Sequence, residues 1–239
     1  MLVEYPQDHI VHQNEPVGEQ IVKYGDNPDQ VIELSGQSNQ GPLLALIHGG
    51  YWRPTIDRSH LRPLARALTD RGFRVALVEY RRVQGRPKDY LDDVINALKK
   101  LGEEPVILMG HSAGAHLALL AGRLLRNISL ILALSPVADL KSGIDHNLGD
   151  GAIQLFLGDK LEKIDDFDPI ALTAAQTSIR IIHTEQDFIP EEVAKNYFQI
   201  KHLEGAAIEY TLVAGADHFS LVDPRSGKLE FLLEAIADQ

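Results

Sequence analysis

The chain has 239 residues, 44% hydrophobic and 24% charged, with a formal net charge of −11 and no cysteine. That length and balance fit one globular domain, residues 1–239, with a sizeable core, and they exclude global disorder. The missing cysteines exclude disulfide scaffolds, thiol nucleophiles, iron–sulfur clusters and cysteine zinc sites, and the acidic balance argues against nucleic acid and membrane partners.

The N-terminus shows no basic segment leading into an apolar run, so no signal peptide is expected. No apolar run approaches the roughly 18 residues of a membrane span. A cytoplasmic protein, monomer or homodimer, is the expectation.

Short strand-like pieces at 20–24 and 31–34 predict an antiparallel start to a sheet. Apolar runs then follow at 43–47, 75–80, 106–109, 128–134, 179–183 and 208–213. They are nearly continuous in apolar character, as strands covered on both faces are. Longer amphipathic stretches alternate with them. Residues 58–71 carry Leu61, Leu64, Ala65 and Leu68 at helical spacing and stop near Gly72. Further helices are predicted over 87–101, 113–125, 190–203 and 227–237. This alternation predicts an α/β protein with a mostly parallel central sheet and helices on both faces. Residues 137–176 are too long for a plain connection. They form either a cap or lid insertion or an ordinary helical crossover with ragged ends.

Two motifs carry chemistry. Gly110-His111-Ser112-Ala113-Gly114 follows one predicted strand and opens a helix. In that context a Gly-x-Ser-x-Gly pentapeptide is a nucleophile elbow, with the Ser112 hydroxyl exposed at the strand end and the Ala113 amide aimed at a developing oxyanion. His48-Gly49-Gly50-Tyr51-Trp52 follows the strand at 43–47. Its glycine pair lets backbone amides approach a ligand, so a second oxyanion donor is expected from Gly49, Gly50 or Tyr51. His48 reads as structural rather than as a proton carrier. Trp52 reads equally as core or as pocket wall.

Together these motifs resemble the α/β-hydrolase superfamily, and within it the esterase branch that includes arylformamidases. The resemblance runs from about residue 20 to 235 and implies an α/β-hydrolase fold. It also implies the order nucleophile, acid, histidine. Asp187, just past the strand at 179–183, is the implied acid, with Asp139 and Glu185 as alternatives. His218, in the loop after the strand at 208–213, is the implied base, and Asp217 beside it should point away. His111 and His116 flank the nucleophile without a proton-transfer role, and His183 reads as a core residue.

The implied activity is a serine hydrolase acting on a small-molecule ester or amide. An arylformamidase acting on N-formylkynurenine-type substrates is the alternative, and a non-catalytic binding protein on the same fold is a third reading. Tyr51, Trp52, Phe156 and Phe219 are the expected substrate-contacting aromatics. No cofactor or metal is implied: there is no His-Glu-x-x-His pattern, and the Asp145–Asp150 stretch lacks the acidic spacing and distal glutamate of a calcium loop.

Overall fold

A computed structural model describes residues 18–237. Eight strands form one sheet: β1 (Gln20–Lys23), β2 (Val31–Ser35), β3 (Leu43–Ile47), β4 (Arg74–Val78), β5 (Val106–His111), β6 (Ile128–Leu134), β7 (Ser178–Gln186) and β8 (Ile208–Asp217). Their spatial order is β1-β2-β4-β3-β5-β6-β7-β8. β1 and β2 pair antiparallel, β2 pairs antiparallel with β4, and every other pairing is parallel. The antiparallel entry and the parallel body both match the sequence pattern.

Successive strand residues feed opposite faces. Ala45 and Ile47 of β3 join Val94 and Leu98 of α2 (Pro87–Lys100), α3 (Ala113–Gly122) and Val193 of α6 (Glu191–Leu203) in one core. Leu44 and Leu46 join Leu64 and Leu68 of α1 (Arg62–Asp70) and Leu232 and Ile236 of α7 (Leu229–Ala237) in the other. Burial on both faces explains why these strands read as unbroken apolar runs. α3 is buried on all sides, as its all-apolar composition predicts.

Differences from the sequence reading are local. The helix expected over 58–71 is a 3-10 turn, Arg58–Leu61, followed by α1, because Pro63 fits only the first helical turn. α3 stops at Gly122 rather than residue 125. β8 runs on to Asp217, four residues past the predicted strand end. Residues 137–176 hold α4 (Leu140–Asp145), α5 (Ala152–Leu157) and 3-10 turns at Gly158–Asp166 and Pro169–Ala171. Leu140, Ile153, Phe156 and Leu157 belong to the main core, so this segment is packed against the body through apolar side chains.

Asp168 ties the later part of this segment back to the start of α4. Its side chain is fully buried, Oδ1 accepts from the Leu140 amide at 3.0 Å, and Oδ2 has no partner among the described residues. Burial, reinforced by the nearby Asp139 charge, pushes the carboxyl up to about 6. An unfolded chain releases this proton near pH 3.9. Between roughly pH 4 and 6 the folded state therefore holds a proton the unfolded state lacks, and this group's contribution falls as pH rises through that window. Asp168→Asn is expected to gain stability relative to the unmodified chain over that window, with the difference constant above it. Thermal unfolding of both proteins across the range checks this; a difference that does not change with pH contradicts it.

Candidate active site

The site lies at the carboxyl ends of β3, β5, β7 and β8, where four loops converge. Glycines make the convergence possible. A Cβ on Gly114 would stand 2.2 Å from the Ile47 carbonyl oxygen and 2.4 Å from that of His48; one on Gly110 would stand 2.4 Å from the Gly114 oxygen. A Cβ on Gly49 would meet the His111 carbonyl at 2.8 Å and Ser112 Cβ at 2.9 Å. The 48–52 loop thus lies directly against the elbow.

Ser112 has φ 56° and ψ −122°, between the end of β5 and the start of α3. A non-glycine residue there stores on the order of 1–3 kcal/mol of backbone strain. The strain is held by the Ser112 amide donating to Leu134 O at 2.8 Å and by the Ala115 amide donating to Ser112 O at 3.0 Å. Tyr51, Trp52 and Ser135 also have positive φ, so left-handed backbone gathers around this site.

The structure brings Asp187 and His218 together. His218 Nδ1 lies 2.8 Å from Asp187 Oδ1, and both side chains are buried. The Ile189 amide donates to the same Oδ1 at 2.8 Å, and the Thr184 hydroxyl donates to Oδ2 at 2.7 Å. Burial alone would raise the Asp187 carboxyl, but its hydrogen bond and charge interaction with His218, helped by the Ser135 and Thr184 hydroxyls, hold it well below the usual carboxylate range. Because the carboxylate is an acceptor, Nδ1 carries the proton and Nε2 is the free lone pair. Neither His218 Nε2 nor Ser112 Oγ has a hydrogen-bond partner among the described residues, though both are buried.

The alternative acids are engaged elsewhere. Asp139 caps α4 through the Ser142 amide at 2.9 Å and accepts from Asn196 Nδ2 at 3.0 Å. Glu185 accepts from the Gly215 amide at 2.8 Å. Asp217 turns into its own loop, accepting from the Phe219 and Ser220 amides. His111 Nε2 donates to the His218 carbonyl at 2.9 Å, fixing the backbone of the histidine loop. Burial and the neighbouring His218 push the His111 ring well below its ordinary value. His116 and His183 are likewise lowered by burial, and each ring meets a backbone carbonyl.

The aromatics divide. Tyr51 lines a cavity of about 120 Å³ beside the site, together with Arg53, Phe188 and the turn at 146–150. Trp52 and Phe156 do not. They stack on each other at 4.6 Å, both buried, with the His116 ring edge-on to each. Both rings are buried members of the main core here, whereas the sequence left Trp52 open between core and pocket wall and placed Phe156 at the substrate. Phe219 is buried in the α1/α7-side core, edge-on to His218 at 5.1 Å. Sequence reasoning missed Phe188, whose ring centroid lies 4.1 Å from that of His218, and Arg53, whose Nη2 donates to Gly149 O at 2.7 Å. The position of Phe188 between the acid and Pro190 was the available signal for the first; nothing in the sequence marks the second. Among the described residues no three His, Asp or Glu side chains group as metal ligands would.

Comparison with known proteins gives a consistent picture. A model of the alpha/beta hydrolase family matches residues 44–195. A kynurenine formamidase of Drosophila melanogaster is 25% identical, over 84% of this chain and 75% of the relative. Among solved structures, esterase B from Lactobacillus rhamnosis superposes with a TM-score of 0.79 at 18% identity, covering 96% of this chain and 89% of its own. An arylesterase superposes with a TM-score of 0.72 at 20% identity, covering 92% and 84%. The family match covers well over half of the sequence, the eight-stranded sheet agrees with it, and the chain belongs to the alpha/beta hydrolase family.

Proposed function

We propose that this hydrolase cleaves small acyl esters or amides by serine catalysis through an acyl-serine intermediate. The observation that carries the reading is the pairing of Asp187 with His218, which leaves Nε2 free in the same buried site as the unpartnered Ser112 hydroxyl. A serine hydroxyl is a weak nucleophile until a base removes its proton. In this account His218 Nε2 takes the proton as Ser112 Oγ attacks the carbonyl carbon, and returns it to the leaving group. Asp187 holds the tautomer and stabilises the imidazolium that forms. The Ala113 amide and an amide of the Gly49–Tyr51 loop stabilise the oxyanion, each donor contributing about 3 kcal/mol. Water then hydrolyses the acyl-serine by the same route.

A formamidase reading is favoured by two observations. The kynurenine formamidase relative covers most of the chain, and Gly49 presses against Ser112 with less than one methyl group of free space. A formyl group needs almost no acyl pocket. Residues 146–150 of the 137–176 segment would then form the outer wall of the site, with Tyr51 and Phe188 against the substrate.

Ser112→Ala is expected to leave the fold and melting temperature intact and to lower kcat by roughly four to six orders of magnitude. Asp187→Asn is expected to cost on the order of 10⁴-fold, because an amide permits the wrong histidine tautomer. Steady-state kinetics on both variants decide; full activity in Ser112→Ala, or a severe loss in Asp139→Asn in place of Asp187→Asn, contradicts the assignment.

Crowding by Gly49 and Tyr51 on the acyl side sets a second expectation. Across p-nitrophenyl esters, kcat/KM should be highest for formyl and acetyl and fall steadily toward acyl chains of about eight carbons, since the cavity cannot take a longer chain. A maximum at the long end would mean that the acyl group runs along a groove away from Tyr51.

A further inference from the structure

Behind the 48–52 loop lies a buried charged cluster that the triad does not use. His48 is fully buried, and both of its ring nitrogens face acceptors: Nδ1 lies 2.9 Å from Gly49 O and Nε2 2.8 Å from Glu79 Oε1. A backbone carbonyl has no proton to give. A neutral imidazole satisfies only one acceptor and sets its other lone pair against an oxygen lone pair. Glu79 is not the proton source, because it is buried as a carboxylate. It accepts from the Arg58 amide at 3.0 Å, the Tyr80 amide at 3.0 Å, and the Arg58 and Arg82 guanidinium groups.

The remaining neighbours of His48 are compatible with a cation. The Tyr80 ring is stacked on it, 4.3 Å away and within 8° of parallel, presenting its electron-rich face. The Tyr80 hydroxyl donates to His48 O at 2.8 Å, fixing the backbone. His60 stands edge-on at 5.9 Å, with Nδ1 donating to Asp57 O, and burial together with His48 lowers that ring to about 4. Arg58 is shared with Glu33, which also binds Arg62, and Arg82 pairs with Glu79 and reaches Asp29 at 3.5 Å, so Glu33 and Asp29 take up part of the guanidinium charge nearby.

We propose that His48 is held as an imidazolium, and that this buried cation is a positioning residue that pins the Gly49 carbonyl and thereby sets the Gly49–Gly50 peptide. That peptide is trans, as no cis bond occurs among the described residues. In a trans peptide the C=O and N–H point in opposite directions. With the Gly49 carbonyl drawn onto His48, the Gly50 N–H is directed away from the histidine and polarised by the charge behind it. On the serine-hydrolase reading, this N–H is the second oxyanion donor beside Ala113. The charge on His48 itself stands independently of that reading.

The test is ¹⁵N NMR of histidine-labelled protein with His48 assigned through the backbone. Both ring nitrogens are expected to carry protons, because each faces an oxygen acceptor. In Glu79→Gln, where the carboxylate partner is gone, one of the two protons should be lost. A single-tautomer neutral spectrum in the unmodified protein overturns the proposal. His48→Gln is expected to lower kcat by about tenfold or more, with KM changed by less than about threefold, because the lost stabilisation belongs to the transition state. Unchanged kcat in that variant overturns the positioning role. If the unmodified protein hydrolyses no ester or amide, the serine-hydrolase reading fails, while the spectrum still decides the charge on His48.

Discussion

Helix α3 lies so close to the end of β3 that no side chain fits between them. Gly114 sits where any Cβ would enter the carbonyl oxygens of Ile47 and His48. This contact fixes how the strained turn at Ser112 meets the 48–52 loop, and the other elements of the candidate site are arranged around it. β5 delivers Ser112 at the top of the sheet, and the loop from β3 is pressed onto it through Gly49. β7 and β8, further along the sheet, bring Asp187 and His218 in from the other side. The parallel pairing of these strands puts all four carboxyl ends at one edge, where open α/β sheets bind ligands.

The loop against α3 is not held by apolar packing alone. A buried polar hub supports it from behind. Glu79 joins His48, Arg58 and Arg82, and Glu33 joins Arg58 and Arg62. Buried charges of this kind contribute little net stability, since desolvation offsets most of the attraction. What they supply is one allowed geometry. On the opposite side of the loop, Trp52 is locked between Phe156 and His116, so the loop is also tied to the 137–176 segment through the core.

Much of this was legible in the sequence because both faces of the sheet are covered. Continuous apolar runs such as 43–47 and 128–134 mark strands, and the glycine-bounded Ser112 motif sits at a strand–helix junction, as expected from its sequence context. The resemblance to α/β hydrolases pointed to Asp187 and His218, and the structure places their side chains 2.8 Å apart. The less legible parts depend on contacts between residues distant in sequence. Trp52 and Phe156 look like pocket aromatics until their stacking is seen. The end of β8, Ala214-Gly215-Ala216-Asp217, holds only small side chains and one carboxylate with no large apolar residue, so it reads as loop. Arg53 and Phe188 reach the cavity only through the direction their turns take, which composition does not encode. Glu79 ends an apolar run, and nothing local marks it as the partner of His48.

The account rests on Ser112 becoming covalently modified during turnover. Incubation with a fluorophosphonate, followed by intact mass and peptide mapping, tests this most directly. One phosphonyl group per chain is expected, on the peptide containing Ser112, with activity lost in proportion and no adduct in His218→Ala on the same timescale. An enzyme that keeps its hydrolytic activity without an adduct, or that carries the adduct on another residue, would contradict the proposed mechanism.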